Sequence, residues 1–271
     1  MKWMPMAAAA ALLTMLAIPP ALADKLDDII ASGTLRCAIV LDFPPMGARD
    51  ASNNPIGFDV DTCNDLAKAL GVNPEYVETP FPDRIPALVS GRADIGVAST
   101  SDTLERAKTI GFSIPYFAFT NVVLTRTDAG IDNYEALKGK KLGSVAGTFE
   151  AILLEDDMKT WGSASTFQGF QAQADVFQAL SQGQIDATVV TSTVAFATVN
   201  SGNFTNLKIA GDAPYPIDYV SLIGLRNEYG LLNYLNLFVN HQIRSGRYQE
   251  LYNKHVGEGA APNLMVPGVY Y

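Results

Sequence analysis

Asp94-Ile95-Gly96-Val97-Ala98-Ser99-Thr100-Ser101-Asp102-Thr103-Leu104-Glu105-Arg106 is the stretch on which the fold turns. The apolar run Ile95-Gly96-Val97-Ala98 reads as the end of a buried strand. Small hydroxyl residues follow, then a turn, then Arg106 in the first turn of a helix. Small side chains let backbone N–H groups approach a ligand, and a helix start adds unpaired donors and positive potential. Arginine adds a planar fork that matches a carboxylate. The same residues also describe an ordinary capped helix, with Asp102 or Thr103 as N-cap and Arg106 as a surface charge. The surrounding sequence has to decide.

Upstream, residues 35–41 are apolar apart from Arg36, as in a strand covered on both faces. Asp42-Phe43-Pro44-Pro45 must then be a loop, because two prolines cannot continue a ladder. Val60, Cys63, Asn64, Leu66, Ala67 and Leu70 recur at helical spacing, and Gly71 closes that helix. In this reading Asp59 and Asp61 cap it. A strand at 74–77, a Pro-rich loop through Phe81, a helix at 83–90 and the strand at 94–98 complete an alternating βα series. Such alternation predicts a mainly parallel sheet covered by helices.

Downstream, residues 114–119 and 122–125 are extended and apolar and carry the chain out of a first lobe. A second alternating series follows, with strands at 141–145, 165–167, 185–190 and 207–209. Helices lie at 133–137, after Gly147-Thr148, at 171–182 and behind residue 190. A strand at 220–225 returns beside the first crossing, and helices at 231–245 and 247–255 end the pattern. The expected division is 24–117 plus 219–271 for lobe 1 and 118–218 for lobe 2.

Residues 1–23 read as a cleaved export signal: Lys2, an apolar run, Pro19-Pro20, then Ala21-Leu22-Ala23 at the cleavage positions. The run is short for a bilayer span, and no cysteine follows it to carry a lipid. An exported, soluble monomer in the periplasm is expected. The net charge of −9 argues against nucleic acid as a partner. Cys37 and Cys63 fall on a strand and the helix after it. Export permits a disulfide, and two small buried apolar residues are the other reading. His241 and His255 are remote from each other, and the cysteines lack ligand spacing, so neither a metal nor a cofactor is expected.

A set of segments in this order resembles the extracytoplasmic solute-binding proteins of ABC importers, in the family that carries polar amino acids. They include Gly33-Thr34-Leu35-Arg36, Gly57-Phe58-Asp59-Val60-Asp61, Ser90-Gly91-Arg92-Ala93-Asp94, Thr103-Leu104-Glu105-Arg106, Phe112-Ser113-Ile114-Pro115-Tyr116, Gly147-Thr148 and Gly183-Gln184-Ile185-Asp186-Ala187. The resemblance implies an α/β, two-lobed, periplasmic-binding-protein-like (type II) fold with a ligand cleft and two hinge crossings. It implies capture of a small carboxylate-bearing solute, an amino acid or a derivative, and delivery to a membrane permease. Arg106 falls at the family's carboxylate arginine, with Ser99 and Ser101 beside it. Thr148 and Phe149 fall at the second-lobe loop whose N–H groups meet the same carboxylate. Phe43 and Phe81 fall where aromatic rings pack on the ligand.

The sequence departs from that family at the ammonium. Val40 and Thr191 stand where aspartates are usual, and neither supplies a negative charge. Either another acid reaches the ligand, Asp42, Glu150 and Asp218 being near the right loops, or the ligand has no ordinary free α-ammonium; Glu150 and Asp218 also read as a helix-dipole acid and as hinge packing, the latter with Tyr116 and Phe119. Gly147-Thr148-Phe149-Glu150 is also similar to a segment of cyclohexadienyl dehydratases, which makes an enzyme on the same fold the alternative. A partner acid near Thr191 is missing for that chemistry, so a binding protein without turnover is the expectation.

Overall fold

The computed structural model describes residues 24–162 and 164–264; the export signal lies outside them. In chain order the elements are α1 (Lys25–Ser32), β1 (Thr34–Ile39), β2 (Ala48–Arg49), β3 (Pro55–Ile56), α2 (Phe58–Leu70), β4 (Asn73–Glu78), α3 (Arg84–Val89), β5 (Ile95–Ser101), β6 (Ile110–Phe119) and β7 (Asn121–Arg126). Then come β8 (Lys141–Val145), α4 (Phe149–Thr160), β9 (Thr166–Phe170), α5 (Gln173–Ser181), β10 (Ala187–Thr191), α6 (Ser192–Asn200), β11 (Leu207–Asp212), β12 (Asp218–Leu225), α7 (Tyr229–Arg244) and α8 (Arg247–His255).

Two five-stranded sheets result, in the orders β4-β1-β5-β12-β6 and β11-β7-β10-β8-β9. In the first, β1 runs parallel to β4 and β5, while β12 is antiparallel to β5 and β6. In the second, β8 runs parallel to β9 and β10, while β7 is antiparallel to β10 and β11. Parallel strands joined through helices follow from the alternating sequence; the strand that arrives from the other lobe enters each sheet antiparallel. β6 keeps pairing with β12 as far as Phe119 opposite Asp218. The chain therefore changes sheet at Thr120, two residues beyond residues 117–118, and returns between Asp212 and Asp218.

The core is continuous across the lobes. One buried cluster holds Ile39, Phe43, Phe81, Phe117 and Phe119 together with Val122, Val145 and Phe177. Cys37 on β1 and Cys63 on α2 form a disulfide with a Cα separation of 6.5 Å, so α2 is tied covalently to the sheet it covers. Among the described residues no helix is long and apolar enough to cross a membrane.

Helix starts show where local chemistry was read wrongly. Gly57 is the N-cap of α2, with no side-chain cap bond. Asp59 instead turns inward, 1% exposed. Asp61 pairs with Lys254 and His255 at 2.5 and 2.7 Å and ties α2 to α8. The helix expected at Arg106 is only a 3-10 turn, Arg106–Lys108, and Thr103 Oγ1 accepts its first N–H. The segment at 133–137 is likewise a 3-10 turn, Tyr134–Leu137, capped by Asn133.

Candidate functional site

Loops at the carboxyl ends of the parallel strands of both sheets face one another, which is where open α/β sheets hold ligands. They enclose a cavity lined by Phe43, Phe81, Arg84, Ser99, Ser101, Phe119, Thr148, Phe149, Glu150, Thr191 and Asp218. Ten of these are thus placed together: the expected Phe43, Phe81, Ser99, Ser101, Thr148, Phe149 and Thr191, the two acids Glu150 and Asp218, and Phe119, read from sequence as hinge packing. Arg84 was not anticipated. Free space is about 10 Å³, room for about one water and far too little for an amino acid. A solute therefore enters only when the lobes separate. A larger groove, about 700 Å³, runs between α2 and α7 on lobe 1 past Lys68, Tyr234 and Leu237; none of the cleft groups reaches it.

The aromatic wall is built by packing. Phe43 meets Phe81 edge-on at 4.8 Å between centroids and Phe119 at 6.2 Å. The Phe43 loop is closed by reciprocal backbone bonds with Gly47 at 2.9 and 3.1 Å. A Cβ on Gly47 would lie 2.0 Å from the Val40 carbonyl oxygen, so only glycine fits there. Val40 itself is buried in the core and is not part of the cavity wall.

Arg84 supplies a preorganised cation. Its Nε donates to the Phe81 carbonyl at 2.9 Å, and its Nη1 donates to the Ala98 and Ser99 carbonyls at 2.8 Å each. Its guanidinium also sits over the Phe81 ring at 4.6 Å. Burial, and then Arg106, push its pKa down to about 9, so it stays cationic at neutral pH. The signal in sequence was its place: it follows the Phe81 loop at the carboxyl end of β4, on a helix start.

Ser99 is held in the left-handed region at φ 45°, which costs about 1 kcal/mol or more in a residue with a Cβ. Three bonds fix it. Its N–H donates to Tyr116 Oη at 3.0 Å, its Oγ donates to Asp59 Oδ2 at 3.2 Å, and its carbonyl accepts from Arg84. Tyr116 Oη donates in turn to Asp59 Oδ1 at 2.7 Å. Asp59 is therefore a positioning group beneath the site. Burial lifts its carboxyl to about 7 despite those two bonds.

Asp218, at the start of β12, accepts from Ser101 Oγ at 3.2 Å. Burial, and next Glu150, raise its pKa to about 7; Ser101, Arg106 and Arg84 pull the other way. Glu150, in the first turn of α4, is also raised, chiefly by burial. Arg84, Arg106, Glu150 and Asp218 are close enough to shift one another's protonation. Thr191 Oγ1 is buried on the cavity wall with no protein partner among the described residues. The chemistry on offer is binding: two cations, two acids, hydroxyls and rings. Among the described residues no group of three or more His, Cys, Asp or Glu is arranged to hold a metal.

Two expected ligand residues stand at the rim instead of the wall. Arg106 Nη1 donates to the Ser101 carbonyl at 3.0 Å, and its Nη2 reaches across the cleft to the Gly147 carbonyl at 2.6 Å. Asp42 Oδ2 accepts from Gln173 N–H of the opposite lobe at 2.7 Å. Neither lines the cavity in this closed conformation.

The chain is similar to a probable histidine-binding protein of Neisseria gonorrhoeae, 26% identical over 226 residues, covering 81% of this chain and 82% of the relative. Among solved structures it is similar to an ancestral arginine-binding protein bound to arginine, with TM-score 0.77 and 32% identity, covering 83% of this chain and 99% of that one. It is also similar to AncCDT-1, an ancestral amino acid-binding protein and precursor of cyclohexadienyl dehydratase, with TM-score 0.76 and 29% identity over 86% of this chain and 100% of that one. Residues 35–258 match the family as a whole, and the chain belongs to the bacterial extracellular solute-binding proteins, family 3.

Proposed function

We propose that the protein captures a zwitterionic amino acid between its lobes outside the cytoplasm and delivers it to the permease of an ABC importer, without chemical turnover. The observation that carries this is the charge set of the cleft: two guanidinium groups and two carboxylates, drawn from both lobes. A zwitterion matches it in sign at both ends. The ligand carboxylate takes Arg106, whose Nη2 now rests on a carbonyl, and the Phe149 N–H at the start of α4. The ligand ammonium takes Asp218 and Glu150. These acids make good the charge absent at Val40 and Thr191, without which a buried ammonium would cost several kcal/mol. The phenylalanines close on the aliphatic body, and Thr191 and Ser101 offer hydroxyls. The ligands of the relatives named above, histidine and arginine, support an amino acid as the class.

Because donors come from both lobes, the ligand binds the closed form better than the open one, which drives closure. A ligand that binds only the folded state raises the melting temperature by mass action. The test is a thermal-shift screen of the mature protein against the twenty amino acids, betaines and opines. At least one amino acid should raise the melting temperature in a saturable way; no shift with any of them would sink this reading. Glu150, buried in Gly147-Thr148-Phe149-Glu150 with its pKa raised chiefly by burial, favours a dehydratase as the second reading. Turnover of prephenate or arogenate above background would establish it against a pure binder.

A further inference from the structure

We infer that Asp42 is a closure latch: it caps helix α5 of the opposite lobe and so holds the lobes shut on a ligand it does not touch. The inference rests on the proposed opening and closing of the cleft.

Helix α5 starts without a cap of its own. Its N-cap position is Ala172, which has no side-chain acceptor. The first N–H groups of a helix have no intrahelical partner. Here the missing acceptor comes from 131 residues away in sequence, on the loop after β1 in lobe 1: Asp42 Oδ2 takes the Gln173 N–H at 2.7 Å, and the Ala174 N–H lies near enough to favour the same carboxylate's charge. Gln173 is 2% exposed, so in the closed form water does not substitute for the carboxylate. A negative charge at this end is also favoured by the helix dipole. Because Asp42 and α5 belong to different lobes, the cap exists only when the lobes are together. Closing caps the helix and opening uncaps it.

The other bond across the rim cannot play this part. Arg106 holds Gly147 with a donor that the ligand carboxylate needs, so loading the site breaks that bond. Asp42 is not on the cavity wall, and its bond survives loading. Asp42 is therefore a positioning residue of the binding reaction. It sets how strongly any ligand is held and leaves the choice among ligands to the cavity.

The experiment compares wild type, Asp42→Asn and Asp42→Ala as full mature chains. Affinities are measured for L-arginine, L-glutamine and L-histidine, and amide hydrogen exchange is followed at Gln173 and Ala174. Loss of a helix cap weakens binding by about 2- to 30-fold. Asp42→Ala should weaken every probe that binds by one common factor in that range and speed exchange at both amides. Asparagine caps as well as aspartate, so Asp42→Asn should recover most of the loss. An unchanged affinity in Asp42→Ala, or a changed ranking of the probes, would overturn the latch, the latter by making Asp42 a ligand contact. If no probe binds wild type, the amino acid found by the thermal-shift screen takes their place; if that screen is blank as well, the proposed function fails. The latch is then judged on exchange in the ligand-free chain, where equal rates in wild type and Asp42→Ala overturn it.

Discussion

Ligand binding should release protons, and the affinity should rise steeply with pH below neutrality. In the unliganded cleft Asp218 holds its proton up to about pH 7, because burial and the neighbouring Glu150 disfavour its anion. An ammonium beside it restores the ordinary carboxylate range. Below pH 7 the incoming ligand must therefore expel that proton, at a cost of 1.36 kcal/mol, or tenfold, per pH unit. Between pH 8 and pH 5, two units of that span lie below the pKa, so the dissociation constant should grow by about 100-fold. Glu150, raised by the same burial, adds in the same direction, and the apparent titration belongs to the pair. Calorimetry at pH 5, 6, 7 and 8, in buffers of contrasting ionisation enthalpy, gives both the affinity and the number of protons released. Close to one proton should leave at pH 6, and almost none at pH 8. In Asp218→Asn the slope should shrink while affinity at pH 8 falls. A flat dissociation constant from pH 5 to 8, or proton uptake, would refute the placement of the ligand ammonium on these acids.

Arg106→Ala should weaken binding at least about 100-fold, since it leaves the ligand carboxylate buried without its charge partner; titration calorimetry at pH 8 checks this, and an unchanged affinity would move the carboxylate to Arg84. Asp59 holds a proton more tightly folded than unfolded, so its contribution to stability is full below about pH 4 and is lost as pH rises through about 7. Urea denaturation should accordingly show the ligand-free protein losing up to a few kcal/mol between pH 4 and pH 8 from this group, and Asp59→Asn should flatten that fall. Reducing the Cys37–Cys63 bridge reopens a loop of sequence separation 26 and should lower unfolding stability by about 3 kcal/mol, read as a shift in the denaturation midpoint with and without reductant.

What was legible in the sequence depended on how local the signal was. The alternation of strands and helices is local, and it gave the two sheets and the loops that meet at the cleft. Ser99 and Ser101 stand out as small hydroxyl residues between a buried strand and a helix start, Thr148 enters through the resemblance, and the fold sets all three on one cavity wall. Arg84 was hidden because a charged residue on a short helix looks like surface; only the fold brings the carbonyls of Phe81, Ala98 and Ser99 around it. Asp59 was read as a helix cap because first-turn acids usually are one, whereas its partners Ser99 and Tyr116 lie 40 and 57 residues away. Asp42 was read as a ligand acid because its loop borders the cleft; its partner is a helix in the other lobe, which no local pattern reports. The missing acids at Val40 and Thr191 were visible from the start, and the candidates to replace them, Glu150 and Asp218, are placed together only by folding.

The two crossings differ in slack. One is the single residue Thr120, flanked by strands that stay paired up to Phe119 on one side and begin at Asn121 on the other. The other is the five-residue span 213–217, with Pro214 and Pro216. A body hung on one taut pivot and one loose tether has a single easy swing, and sideways slip is resisted. The jaws then work as a caliper. The angle at Thr120 sets the gap between the first-lobe groups Arg106 and Asp218 and the start of α4. In the proposed delivery cycle, a permease that felt only that angle would receive a measurement of the cargo without ever touching it.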